Sequence, residues 1–200
     1  MKLFGQIIPN IFKRKARLFL ENILDSFAYY LHKGRNGEVR GAKNIVFICR
    51  GNICRSPFAA SSLKRILDKQ NIQIESYGLD VAQSSPPPPE AIVAAEKYGV
   101  NITEHKSRAI EIDRVKESDL IISMEYTHYK EIVNLFPGKK NCTRLLREFA
   151  PFPNLVLCNI NDPYGCESNE YERCFSLIEK SLHCLVEKVM ERKERSKIVN

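Results

Sequence analysis

Asn44-Ile-Val-Phe-Ile-Cys49-Arg-Gly-Asn-Ile-Cys54-Arg55-Ser-Pro57 is the stretch on which the reading of this chain turns. Ile45 to Ile48 form an unbroken apolar run, the pattern of a strand buried on both faces of a parallel sheet. Gly51 and Asn52 tolerate positive φ, so the loop after Cys49 can turn its backbone N–H groups inward. Ser56 reads as an N-cap and Pro57 as a first-turn residue of a following helix. Strand, cupped loop and helix N-terminus together make an anion site, to which Arg55 adds a planar fork for two phosphate oxygens. Cys49 falls at the base of that cup, where inward N–H groups, the helix dipole and Arg55 favour thiolate over thiol. A thiolate in an oxyanion cup is a nucleophile aimed at phosphorus. Cys-x5-Arg alone is a common spacing; the strand before it, Gly-Asn within it and Ser-Pro after it make it specific.

The motif resembles the phosphate-binding loop of the low-molecular-weight protein tyrosine phosphatases, and the resemblance extends from about residue 43 to about 190. It implies a phosphotyrosine protein phosphatase working through a cysteinyl-phosphate, with Cys49 as nucleophile and Arg55 as phosphate clamp. It also gives Asn161-Asp162-Pro163-Tyr164-Gly165 a meaning beyond turn chemistry. The family carries an Asp-Pro-Tyr general acid before its last helix, so Asp162 is expected to protonate the leaving oxygen and then activate water. Tyr164 is expected to line the pocket mouth and pack on the substrate ring.

Supporting roles are assigned around the loop. Ser56 can donate its hydroxyl to the Cys49 sulfur, and Asn52 can hold the turn by side-chain hydrogen bonding. Gly51 and Ile53 complete the phosphate-binding loop. His105, in Glu104-His105-Lys106-Ser107-Arg108, resembles the family's His-x-Ala-Arg stretch and is expected to bond the loop Asn, although Ser107 replaces the Ala. Cys54 matches the neighbour with which family members form a protective reversible disulfide to the nucleophile. Arg50 departs from the small or apolar residue usual after the nucleophile: pointing outward it would favour acidic phosphopeptides, pointing inward it would perturb the cup. Tyr164-Gly165 resembles bacterial members, which implies an autophosphorylated tyrosine kinase as the phosphotyrosyl protein substrate.

Composition limits the alternatives. Two hundred residues, 44% of them hydrophobic, suffice for one domain with an appendage and a full core. Seven cysteines form no paired framework, which reads as a reducing, cytoplasmic compartment. No Cys/His spacing suits zinc, so no metal and no cofactor is expected. The net charge is +7, but residues 1–43 hold nine Lys/Arg against Glu21, Asp25 and Glu38, so the rest is nearly neutral and nucleic-acid binding is not expected. Thiol-dependent arsenate reduction, phosphoarginine hydrolysis and a non-catalytic phosphate-recognition module are the competing functions. The cysteine-free segment 71–141 argues against the first, and apolar Ile53 against the second. The presence of both a nucleophile and an acid argues against the third.

The expected architecture is α/β: a four-stranded parallel sheet covered by helices on both faces, with the phosphate loop after the first strand. Strands are read at 45–48, within 72–81, at 120–124 and at 143–146. Helices are read at 58–69, 90–98 and 129–135, with a long one after Cys166 whose end is rich in Lys and Arg. Residues 43–200 form the catalytic domain and 1–42 a basic extension. There Pro9 reads as a break, and residues 33–43 as a linker. Between them, Leu20, Ile23, Leu24, Phe27 and Leu31 fall at helical spacing behind Lys13, Arg14, Lys15 and Arg17. Through residues 12–31 this basic amphipathic helix either docks its apolar stripe on the domain or on a second copy, attaches peripherally to an anionic membrane, or meets a partner protein. It is too short in apolar residues to span a bilayer.

Overall fold

The computed structural model describes residues 4–33 and 39–191, with the backbone alone over 4–15. Four strands, β1 (Asn44–Cys49), β2 (Gln73–Gly78), β3 (Leu120–Ser123) and β4 (Thr143–Leu145), form one parallel sheet in the order β2-β1-β3-β4. The apolar run of β1 earns it a central place, because a strand with two covered faces needs apolar residues at every position. Ile45, Phe47 and Cys49 face one core and Val46 and Ile48 the other, the period of two expected of a strand.

Six α-helices, α1 (Phe4–His32), α2 (Arg55–Ile66), α3 (Pro89–Glu96), α4 (Ile112–Glu117), α5 (Tyr126–Leu135) and α6 (Ser168–Met190), and three short 3-10 turns (Pro137–Cys142, Leu146–Phe149 and Asn154–Val156) complete the described chain. The larger core joins α2, α3 and α6 to one face of the sheet, where Phe58 and Phe175 stack with ring centroids 3.9 Å apart. On the other face Val46, Ile48, Tyr77 and Ile121 pack against Val115 of α4 and Ile132 of α5. The chain leaves β1 to pair β2 on one side and later pairs β3 on the other. That reversal opens a crevice at the carboxyl end of β1, where open α/β sheets bind ligands.

Several local expectations need correction. Pro9 does not break α1, which runs through it; the one backbone bond a proline forfeits there is to the first turn. α2 starts at Arg55, so Ser56 is not its N-cap; its hydroxyl is taken by the loop. α5 begins at Tyr126, three residues early, because the Asn159 side chain accepts the Tyr126 N–H at 2.7 Å. α4 was not anticipated, since six residues with one buried apolar position carry no readable period. Residues 34–38 of the linker and the basic end after α6 lie outside the described residues.

The amphipathic extension sits the other way round from the docking expectation. Leu20, Leu24, Phe27 and Leu31 are each 58–69% exposed and Ile23 is exposed as well, while Asn22, Ser26 and Tyr29 on the opposite face are buried. Tyr29 packs edge-on against Tyr126 and Tyr129 and donates to the Glu148 carboxylate, and its hydroxyl accepts the Leu145 N–H at 3.2 Å. Tyr30 donates to the Leu155 carbonyl at 2.5 Å.

Gly78 ends β2 under the phosphate loop. A Cβ on it would stand 2.5 Å from Val81 Cγ2, 2.8 Å from the Arg50 carbonyl oxygen and 3.1 Å from Asn52 Cβ. Two of those neighbours belong to the loop, so Gly78→Ala must displace it. The expected result is a loss of about 1–3 kcal/mol of stability, seen in a thermal melt as about 2–4 °C per kcal/mol, together with a fall in turnover.

Candidate active site

The loop between β1 and α2 is shaped by Asn52, whose φ of 53° places it in the left-handed region that asparagine tolerates better than most residues. Its side chain is fully buried and fully used. Asn52 Nδ2 donates to Ser56 Oγ at 2.9 Å and to Ser76 Oγ at 3.0 Å, and Oδ1 accepts the Arg108 N–H at 2.9 Å. The Asn52 carbonyl accepts from His105 Nε2 at 2.8 Å, which fixes Nε2 as the protonated nitrogen. Burial lowers the His105 pKa from its ordinary value, partly offset by that bond. The loop reading points to Asn52, and the resemblance to the family's His-x-Ala-Arg stretch points to His105 in the same stretch as Arg108, whereas Ser76 on β2 carries no local signal.

Cys49 Sγ lies at the floor of this loop, 3.0 Å from Ser56 Oγ and 3.3 Å from the Asn52 N–H that donates to it. Opposite the loop, the first N–H groups of α2 have no intrahelical acceptors and add their dipole to the same space. Cys54 is buried beside them as a free thiol, pushed up by burial and by the Asp162 and Cys49 negative charge. Ile53 packs partly against the larger core, and Gly51 is half-buried at the loop's turn. Arg50 points away from the cup, to Glu131 of α5 at 3.0 Å.

Arg55 is 1% exposed and, with Arg144, is one of the two largest fully buried side chains among the described residues. Nη1 donates to the Glu125 carboxylate and, at 2.9 Å, to the Ile160 carbonyl; Nη2 donates to Asp162 Oδ2 at 2.5 Å. Burial works against its charge, but Glu125 and Asp162 outweigh burial and raise its pKa overall. Its Nε is buried with no hydrogen-bond partner among the described residues. Glu125 was missed from the sequence: a Met-Glu pair after a strand has no distinguishing spacing, and only the sheet brings it to Arg55. Asp162 Oδ1 accepts the Tyr164 N–H at 3.2 Å, while the Tyr164 side chain is 62% exposed at the rim.

His128 on α5 is a further residue with no sequence signal. It is 2% exposed, its Nδ1 has no partner among the described residues, and burial, with Arg55 and Arg50 nearby, lowers its pKa to about 3. An unfolded histidine takes up its proton below about pH 6.5, so the stability from the neutral folded form is complete above that pH and is lost as pH falls toward 3. Unfolding free energies of wild type and His128→Asn, measured in denaturant from pH 7 to pH 4, should diverge. The wild type should lose up to about 1.4 kcal/mol more per pH unit below 6.5.

A family model described as low molecular weight phosphotyrosine protein phosphatase matches residues 44–195. The low molecular weight protein-tyrosine-phosphatase Wzb of Escherichia coli strain K12 is 30% identical over 138 residues, covering 69% of this chain and 89% of Wzb. The low molecular weight phosphotyrosine protein phosphatase of Sus scrofa is 28% identical over 156 residues, covering 74% and 96%. Among solved structures, the tyrosine phosphatase AmsI of Erwinia amylovora superposes with a TM-score of 0.68 at 26% identity, over 75% of this chain and 95% of that one.

Proposed function

Because the chain belongs to the low molecular weight phosphotyrosine protein phosphatase family and is a phosphotyrosine protein phosphatase, we propose the following roles for its residues. The phosphoryl group binds in the cup with its oxygens on the loop N–H groups and on Arg55. Cys49 Sγ attacks phosphorus as the bond to the tyrosine oxygen breaks, and Asp162 delivers its proton to that oxygen. Water then attacks the cysteinyl-phosphate, Asp162 takes a proton back, and the sulfur–phosphorus bond breaks to release phosphate. Hydrogen bonds from Ser56 Oγ and the Asn52 N–H hold the departing negative sulfur. Asn52 and His105 keep the loop in shape, Glu125 orients Arg55, and Tyr164 meets the substrate ring at the rim.

One observation carries this reading. Arg55 keeps its Nε without a partner among the described residues while its Nη2 holds Asp162. An oxyanion taken up on Nε therefore lies beside the carboxyl that must reach its leaving oxygen. Arg50 is turned outward into an ion pair with Glu131 of α5 at 3.0 Å, so it leaves the cup undisturbed. The phosphoprotein substrate we favour is an autophosphorylated tyrosine kinase.

The test is phosphate release from a phosphotyrosine peptide without added metal. Cys49→Ser should abolish turnover, and Asp162→Asn should lower kcat by about 10²–10⁴-fold. Full turnover by Cys49→Ser would sink the assignment.

No helix among the described residues is long and apolar enough to cross a membrane. We place the enzyme in the cytoplasm, peripheral at an anionic membrane surface through the outward face of α1. That face presents Leu20, Ile23, Leu24, Phe27 and Leu31, and its helix carries a basic cluster from Lys13 to Arg17. Of the two acids of α1, Glu21 pairs with Arg17 at the edge of that cluster and Asp25 accepts from Asn159. Apolar area beside an end with a net basic charge fits an anionic bilayer, whereas self-association would bring two basic extensions together. Full-length protein should sediment with phosphatidylglycerol-containing vesicles and not with phosphatidylcholine alone, and Leu24→Asp/Phe27→Asp should stay in the supernatant. A concentration-dependent dimer that ignores both vesicles would favour self-association instead.

A further inference from the structure

The two carboxylates flanking Arg55 hang on one short segment, and α1 holds that segment. Cys158, Asn159 and Ile160 are buried but belong to no strand, so their backbone groups must find partners elsewhere. The Cys158 N–H donates to Ser26 Oγ at 2.9 Å, and the Asn159 N–H to Asn22 Oδ1 at 3.2 Å. The Ile160 N–H donates to the Met124 carbonyl at 2.8 Å. The carbonyls of Asn159 and Ile160 accept from Arg147 Nη1 at 2.6 Å and Arg55 Nη1 at 2.9 Å. Two of three consecutive N–H groups are thus satisfied by the extension.

The Asn159 side chain ties the same helix to the other carboxylate. Its Nδ2 donates to Asp25 Oδ2 at 2.8 Å, and its Oδ1 accepts the Tyr126 N–H at 2.7 Å, next in sequence to Glu125. Asp162 follows Ile160 by two residues. The three N–H groups of Cys158–Ile160, the Asn159 and Ile160 carbonyls and both ends of the Asn159 amide are each bonded to a neighbouring element.

We propose that Asn22 and Ser26 are positioning residues for Asp162, so that the inner face of the N-terminal helix sets the reach of the general acid. The proposal rests on Asp162 as that acid. A general acid works only within hydrogen-bond reach of the leaving oxygen, and a displacement of about 1 Å can cost about 10²-fold in rate. Removing Asn22 Oδ1 or Ser26 Oγ strands a buried N–H on the segment that carries Asp162, and the segment must shift to satisfy it. Cys49 and its loop are held by Asn52, Ser56 and Ser76 and do not depend on α1.

That division predicts a signature in the leaving group. Full-length wild type, Asn22→Ala, Ser26→Ala, the double variant and Asp162→Asn are assayed on phosphotyrosine, whose phenoxide needs a proton, and on 2,4-dinitrophenyl phosphate, whose leaving group does not. Asp162→Asn should lose activity selectively on phosphotyrosine. The α1 variants should show the same selectivity to a smaller extent, with kcat on phosphotyrosine down about tenfold or more and the dinitrophenyl ester nearly unaffected. Ser26→Thr, which keeps the hydroxyl, should restore the wild-type ratio, and Phe27→Ser on the outward face should leave it unchanged. If the double variant does not fold by circular dichroism, the single variants decide. Equal losses on both substrates, or none, in the α1 variants beside a selective Asp162→Asn would overturn the positioning role. An unselective Asp162→Asn would overturn the acid assignment itself, and this proposal with it.

Discussion

A guanidinium with almost no exposure must be compensated by the protein around it, and most of the site's layout follows from how Arg55 is compensated. Removing an ion from water costs several kcal/mol even after relaxation, and Glu125 and Asp162 supply the opposing charge. The two carboxylates come from opposite ends of the assembly, one after β3 and one before α6. Their convergence on Arg55 therefore requires β1, β3 and the segment before α6 to be in register. The same pairing gives Arg55 a fixed plane, with Nη1 and Nη2 committed and Nε without a partner among the described residues. A lysine could hold one of these partners but not three in a plane.

The loop has its own, separate compensation. Asn52 adopts a positive φ at a modest steric cost, and its amide spans Ser56, Ser76 and the Arg108 backbone to hold it there. Ser76 lies on β2 and Gly78 follows it, so the edge of the sheet doubles as the loop's support. This explains why β2 must end in a residue without a side chain, although nothing around Gly78 in the sequence announces that need.

The fold was legible because its decisive signals are local. An apolar run, a Gly-Asn turn and Ser-Pro before a helical pattern lie within fourteen residues, and each is decided by neighbours in the chain. The family resemblance extended this to Asp162, which no spacing from Cys49 would reveal. Glu125, Ser76 and His128 stayed hidden because their roles exist only once the sheet has assembled. Ser56 was placed near the sulfur correctly but as a helix cap wrongly, since one hydroxyl cannot serve both the loop and the helix end. The extension shows a different limit. Hydrophobic periodicity identifies two faces of a helix but does not say which one meets the protein.

What decides the orientation of α1 is the need of the surface it covers. Beyond β4 the chain runs through Cys158–Ile160 without a neighbouring strand, and an apolar helix face laid over it would leave buried N–H groups unbonded. Each such group costs about 1–3 kcal/mol, comparable to the gain from burying a whole leucine, about 1.5–3 kcal/mol. Asn22, Asp25 and Ser26 recur at helical spacing and offer the needed oxygens, while Tyr29 beside them supplies apolar contact and a hydroxyl. The polar face wins the contact because it satisfies a buried backbone, and the apolar stripe is left outside as a consequence. One helix is thereby given two faces with unrelated duties, the inner joined to the segment that carries Asp162 and the outer turned away from the domain.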